Sequence, residues 1–173
     1  MLTFQCFLDC AGLLQSQAAK SGELPDELDE YESKVMAACE ILDYSGVKFR
    51  MFGFGLDWVL DVEYDCSIFM ESLPDILGAL AKNEEFEFIF ASQGVERILT
   101  FIPDGERVRI VCSLLTGMDS NPPFEDMAKV DLVEMLERLA VDFGVALMRT
   151  SSPLSAEEPF RSWAEGRVRP TVD

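Results

Sequence analysis

Three short apolar runs follow one another between residues 86 and 115, and turn residues separate them. The runs span 86–91, 95–102 and 107–115, with Gly94 in one separator and Gly105 in the other. Connections of this length that carry glycine are typical of β-hairpins. The pattern therefore predicts an antiparallel meander, and the rest of the chain has to cover one face of it.

A second pair of strands is predicted before the meander, over 47–54 and 56–63. Both segments alternate apolar and polar side chains, which is the period of a half-buried strand. In the later segment the apolar face consists of Leu56, Trp58, Leu60 and Val62, and the opposite face of Asp57, Val59, Asp61 and Glu63. The sheet is thus expected to have one solvent-facing side.

Helical patterns precede and interrupt these strands. Residues 1–20 are interpreted as helical, and acids in a first turn favour a second helix over 26–43, which ends near Gly46. The N-terminal region 1–45 is therefore expected to be helical. A further helix is predicted to begin at Ser72 and end near Asn83.

The last helix is expected to begin at Asp131 and end at Gly144, after a short extended piece. The sum is an α+β fold, with an antiparallel β-sheet of five or six strands packed against two or three α-helices. Residues 1–149 are expected to form a single domain. Residues 150–173 are interpreted as a loosely attached tail, with Phe160 and Trp163 as its anchors.

Composition removes several classes of function. The 173 residues contain no histidine, so nucleophile pairs that depend on histidine cannot be built. A net charge of −18 opposes direct binding to nucleic acid or to anionic membranes and favours a basic protein partner. The first residues lack the basic region of a signal peptide, and no apolar run is long enough to span a membrane. The five scattered cysteines are interpreted as reduced thiols in the core. Together these features predict a cytoplasmic protein.

The acidic residues offer the only candidate chemistry. Asp57, Asp61 and Glu63 lie on one face of the predicted strand, because residues an even number of positions apart share a face, and such carboxylates can hold a divalent cation. Solvated surface is the more common role of such acids. The sequence accordingly predicts no enzyme, no cofactor and no metal, with metal-assisted catalysis left open as an alternative.

Residues 47–148 resemble, in the order and patterning of their elements, the small acidic immunity proteins encoded beside bacterial polymorphic or secreted toxins. The matching segments are the strand Leu56-Asp-Trp-Val-Leu-Asp-Val-Glu, the helix Ser72-Leu-Pro-Asp-Ile-Leu-Gly-Ala-Leu, the strand Arg107-Val-Arg-Ile-Val-Cys-Ser and the helix Asp131-Leu-Val-Glu-Met-Leu-Glu-Arg-Leu. The resemblance implies stoichiometric inhibition of a cognate toxin, for which a nuclease with a basic substrate face is the expected target.

Under this interpretation the docking face carries acids that pair with lysine or arginine of the toxin, and an aromatic anchor. The residues expected there are Asp57, Asp61, Glu63, Tyr64, Asp65, Glu84, Glu85 and Glu87. Trp58 is a weaker candidate anchor and is expected in the core. The alternative from another class is a type III secretion chaperone, which is also small and acidic, forms a homodimer and holds an unfolded effector segment.

Overall fold

The chain folds as an α+β protein in a computed structural model that describes residues 3–13, 30–90, 96–114 and 120–168. The strands of the described residues are β1 (Gln5–Asp9), β2 (Lys48–Gly53), β3 (Leu56–Val59), β4 (Phe86–Phe90), β5 (Arg97–Asp104), β6 (Arg107–Leu114) and β7 (Phe124–Ala128). The helices are α1 (Tyr31–Tyr44), α2 (Ser67–Lys82), α3 (Lys129–Arg149) and α4 (Phe160–Ala164), with a π-helical turn (Val62–Cys66) and a 3-10 helix (Pro153–Ala156).

The strands form two antiparallel sheets, not the single sheet of five or six strands that the sequence predicts. Sheet 1 has the order β1-β2-β3 and sheet 2 the order β4-β5-β6-β7. The α+β class and the antiparallel pairing are confirmed. The helix count also exceeds the prediction of two or three, because the five-residue α4 was not expected.

The prediction of a helix over residues 1–20 is wrong where the structure describes it. Phe4, Cys6 and Leu8 are buried and alternate with exposed neighbours, so this segment is a strand. It pairs with β2, from Gln5 opposite Phe52 to Asp9 opposite Lys48. Within a run this rich in apolar residues, the alternation extends over only five residues and is easily overlooked. Residues 14–29, with the start of the second predicted helix, lie outside the described part; α1 confirms its remainder.

The strand predicted over 56–63 is shorter than expected. It ends at Val59 because the backbone turns at Asp61, whose side chain caps the π turn, and α2 follows directly from Ser67. The helix predicted from Ser72 therefore begins five residues earlier and carries Pro74 inside it. Its end is confirmed: Asn83 adopts the left-handed conformation common at helix C-termini.

The antiparallel pairing of the predicted meander is confirmed in sheet 2, whereas its first predicted turn, at 92–94, lies outside the described residues. β4, β5 and β6 pair in order, and the hairpin between β5 and β6 places Asp104 opposite Arg107. Gly105 in its turn has a φ of 61°, which a glycine adopts without strain. The extended piece expected before the last helix is β7, which pairs with β6.

The two sheets share one core and one polar junction. The ring of Phe69 on α2 lies 5.8 Å from that of Phe49 in sheet 1 and 5.1 Å from that of Phe88 in sheet 2. On β7 of sheet 2, the Glu125 carboxylate accepts hydrogen bonds from the backbone N–H groups of Phe4 and Phe54. One carboxylate thus ties the start of β1 and the β2–β3 turn to the other sheet.

The last helix does not end at Gly144 but runs on to Arg149. Gly144 instead permits close packing, since a Cβ there would lie 2.6 Å from the Ala164 backbone nitrogen on α4. Phe160 and Trp163 are buried, and their rings lie 5.7 and 6.0 Å from that of Phe143. The segment 150–168 is therefore packed on α3 and is not the loose tail that the sequence predicts.

Four of the five cysteines lie buried in the core, in accord with the sequence, and Cys10 is half-buried. Burial raises the pKa of the Cys6 thiol to about 12, so this thiol stays protonated at neutral pH. No helix in the described residues has the length and apolar character needed to cross a membrane.

Candidate partner-binding surface

The eight residues predicted to contact a partner fall into separate groups. Asp61, Glu63, Tyr64 and Asp65 precede the N-terminus of α2, whereas Glu84 and Glu85 follow its C-terminus. A helix of 16 residues is about 24 Å long. The two groups therefore lie at opposite ends of α2 and do not form one cluster.

Two of the predicted acids hold the π turn in place. The Asp61 side chain accepts a hydrogen bond of 2.9 Å from the Tyr64 N–H, and the Asp65 carboxylate accepts one of 2.8 Å from the Asp61 N–H. The two bonds are reciprocal, as in a capping box. Asp65 is only 3% exposed. Contrary to the prediction, it lies inside the protein and supports the turn from behind.

Tyr64 projects from this turn into solvent, with 61% of its surface exposed. The pKa of its phenol is raised, mainly by the charge of Glu63 and a hydrogen bond to it, with smaller contributions from Asp61 and Glu40. Asp61 and Glu63 belong to the same turn as Tyr64 or directly precede it, and Glu40 lies on α1, which packs against that turn. Glu40, Asp61, Glu63 and Tyr64 are called here the Tyr64 cluster.

Glu40 is the member of this cluster that sequence reasoning missed. It lies exposed on α1, which packs against the π turn, and the neighbouring Cys39 is buried in the core together with Cys66 of that turn. Tyr44 follows Glu40 by one helical turn, so the two share a face of α1, and Tyr44 is 80% exposed. The contact between the helix and the turn could not be predicted from local periodicity.

The carboxylates of the Tyr64 cluster have no cationic partner within the described residues. The ion pairs there are Lys34–Glu157, Arg109–Asp126, Arg138–Asp142, Arg161–Glu158 and Arg167–Glu165. The described residues also contain no group of three or more Cys, Asp or Glu side chains placed to hold a metal ion. Glu40, Asp61 and Glu63 therefore remain available to cations of another protein.

The remaining predicted residues lie elsewhere. Asp57 is exposed on β3 opposite Phe52, on the outer face of sheet 1. Glu84 and Glu85 are exposed beyond the end of α2, and Glu87 is exposed on β4 opposite Thr100. Trp58 is buried, as expected, with its indole nitrogen 3.4 Å from the Gly53 carbonyl oxygen.

A groove with a volume of about 400 Å³ lies along the contact between β1 and α3. Phe7 lines one side, and Met127 and Met135 line the other, where the Arg138–Asp142 ion pair also lies. The Met135 sulfur accepts a hydrogen bond of 3.3 Å from the Cys6 N–H. The Cys6 N–H lies on the edge of β1 that faces away from β2. Because Met135 of α3 already accepts a hydrogen bond from it, α3 covers the position at which an added strand would pair with β1.

We found no match to this chain among family models, curated proteins or solved structures.

Proposed function

We propose that this protein is a stoichiometric inhibitor that binds a basic partner protein through the Tyr64 cluster, as an immunity protein for a cognate bacterial toxin. The observation that carries the proposal is an exposed tyrosine on a hydrogen-bonded π turn, surrounded by three carboxylates without a cationic partner in the described residues. Tyrosine and charged neighbours in this arrangement are typical of interface hot spots.

The rigidity of the turn supports this role. π-helical turns are rare in proteins, and those that occur are often found at functional sites. Here the Asp61 and Asp65 side chains fix the turn before any partner arrives. A preorganised contact loses less conformational entropy on binding, and so more of the interaction energy contributes to affinity.

The charge of the chain supports a basic partner. With 32 acidic and 14 basic residues, the protein attracts basic surfaces at a distance and repels acidic ones. A nuclease toxin fits this requirement, since a surface that binds phosphates is rich in lysine and arginine. An acidic inhibitor that covers such a surface excludes the substrate and needs no chemistry of its own.

The test is co-expression with the product of the adjacent gene, followed by size-exclusion chromatography and a growth assay. We expect a one-to-one complex and suppression of toxicity by the wild-type protein. Tyr64→Ala is expected to weaken the complex at least tenfold and to restore toxicity. The matched control is Tyr44→Phe, which keeps the exposed aromatic ring on α1.

Two outcomes would contradict the proposal. One is a protein that neither binds the adjacent gene product nor suppresses its toxicity. The other is binding only to an unfolded N-terminal segment of that product, which would favour the secretion chaperone. If the complex forms but Tyr64→Ala binds as tightly as the wild type, the inhibitor function stands and the Tyr64 cluster is excluded as its site.

A further inference from the structure

The outer face of sheet 2 is unusually apolar for a solvent-facing surface. Helices α2 and α3 pack against the sheet from its inner side, where Leu99, Phe101 and Ile110 are buried. On β5 the residues that alternate with Leu99 and Phe101 point outward, and two of them, Ile98 and Ile102, are also apolar. Strands that are apolar on both faces are typical of sheets covered on both sides.

The strand register joins these side chains into a band across all four strands. Ile89 of β4 lies opposite Ile98 of β5, and Val111 of β6 lies opposite Phe124 of β7. Thr100 connects the two pairs, since it is opposite Val111. Ile89 is 43% and Phe124 42% exposed, and the other members are half-buried. No helix of the described residues covers this band.

The charges on this face nearly cancel. The acids are Glu87 on β4, Asp104 on β5 and Asp126 on β7, and the bases are Arg107 and Arg109 on β6. Asp104 lies opposite Arg107, and Arg109 pairs with Asp126 at 2.8 Å and lies 4.1 Å from the centre of the Phe124 ring. The face thus carries three acids and two bases, although the whole chain has a net charge of −18. It therefore attracts a basic partner far less than the rest of the surface does.

We propose that the outer face of sheet 2 is the interface with a second copy of this chain. In a dimer with its two-fold axis parallel to the strands, β4 of one copy lies over the β6–β7 side of the other copy's sheet. Glu87 of each copy then approaches Arg109 of its partner copy, and the two apolar bands meet. An isologous contact of this kind closes at two subunits.

The size of the face fits a weak contact. Two strands of eight residues and two of five, about 4.8 Å apart, cover about 400 Å² per copy. Two copies would bury about 800 Å² of sheet area, which lies in the range of weak, transient interfaces. This predicts a reversible dimer that forms at micromolar concentration and leaves both Tyr64 clusters open.

Sedimentation velocity from about 1 to 200 µM at moderate salt tests the proposal. We expect a monomer–dimer equilibrium for the wild type and a dissociation constant at least tenfold higher for Ile89→Glu, because the new carboxylate would be buried in the interface. The matched control is Val145→Glu, which adds the same charge at an apolar position of α3 that is 40% exposed. This control is expected to dimerise like the wild type.

Charge reversal tests the orientation of the two copies. Glu87→Arg and Arg109→Glu are each expected to weaken the dimer at low salt, and their combination is expected to recover part of the loss. A wild-type protein that stays monomeric at every concentration would overturn the proposal. A dimer that Ile89→Glu and Val145→Glu weaken equally would also overturn it. Neither result bears on inhibition of a toxin, so this inference fails or stands independently of the proposed function.

Discussion

The two sheets of this protein differ in how the chain builds them and in what their surfaces carry. Sheet 2 is assembled from strands that are neighbours in the chain, and its outer face is largely apolar with charges that nearly cancel. Sheet 1 pairs β1 with β2, more than forty residues later in the sequence, and the acidic Tyr64 cluster follows its last strand. Charge and apolar surface are thus separated between two regions, which suits two different binding events.

The junction between the regions gives the largest predicted effect. Glu125→Ala removes the acceptor of two backbone N–H donors in sheet 1. Hydrogen bonds to a charged group contribute more than neutral ones, so we expect a loss of about 3 kcal/mol in the free energy of unfolding. Urea denaturation measures the loss. Hydrogen exchange should show that amide protection falls more in β1 than in β5, because the hairpins of sheet 2 do not depend on this carboxylate.

The neighbouring residue supplies the control for that prediction. Asp126→Ala removes only a surface ion pair with Arg109, which solvent screens, so a much smaller loss is expected. Equal losses for the two variants, or equal loss of protection in both sheets, would show that Glu125 does not join the regions in the way described.

Two glycines test the packing of the helices that cover the two sheets. Gly144→Ala on α3 places a Cβ 2.6 Å from the Ala164 backbone nitrogen and 2.7 Å from the Phe160 carbonyl oxygen. We expect destabilisation by about 1–3 kcal/mol, because backbone has to move. Thermal unfolding measures it, together with the loss of fluorescence from buried Trp163.

The matched substitution on α2 is expected to change the stability of the protein in the opposite direction. A Cβ at Gly78 meets no heavy atom within 4 Å, and the residue lies inside a helix. Gly78→Ala should therefore stabilise the protein by about 0.5–1 kcal/mol, because alanine favours helical backbone. Destabilisation by both substitutions would contradict the close approach of α4 to α3.

The smallest predicted effect is on the titration of Tyr64. Its phenol has a raised pKa, mainly because of Glu63, so ionisation is delayed to higher pH in the folded protein. Glu63→Gln should lower this pKa toward its usual value. Absorbance titration of the phenolate measures the change, and the difference between Tyr64→Phe and the wild type assigns it. An unchanged titration in Glu63→Gln would place the carboxylate away from the phenol.

The sequence predicted sheet 2 strand by strand because its order follows from local alternation and hairpin turns. It failed at β1, where five alternating residues lie in an apolar run and the pairing partner is distant. It also missed that Asp61 caps a π turn, because the alternation over 56–63 favoured one continuous strand and hid the local bonds that Asp61 and Asp65 form in that turn. Tyr64 and two acids of its cluster were predicted, whereas Glu40 was missed because only packing of α1 on the turn brings it there.

In the function proposed above, the Tyr64 cluster, and not acidity in general, binds the basic partner. The most direct test is calorimetric titration of that partner with two variants that each remove two negative charges, Asp61→Asn with Glu63→Gln and Glu84→Gln with Glu85→Gln. We expect at least a tenfold loss of affinity for the first pair and less than a threefold loss for the second. Equal losses for the two pairs would contradict binding through the Tyr64 cluster and would indicate attraction by net charge alone.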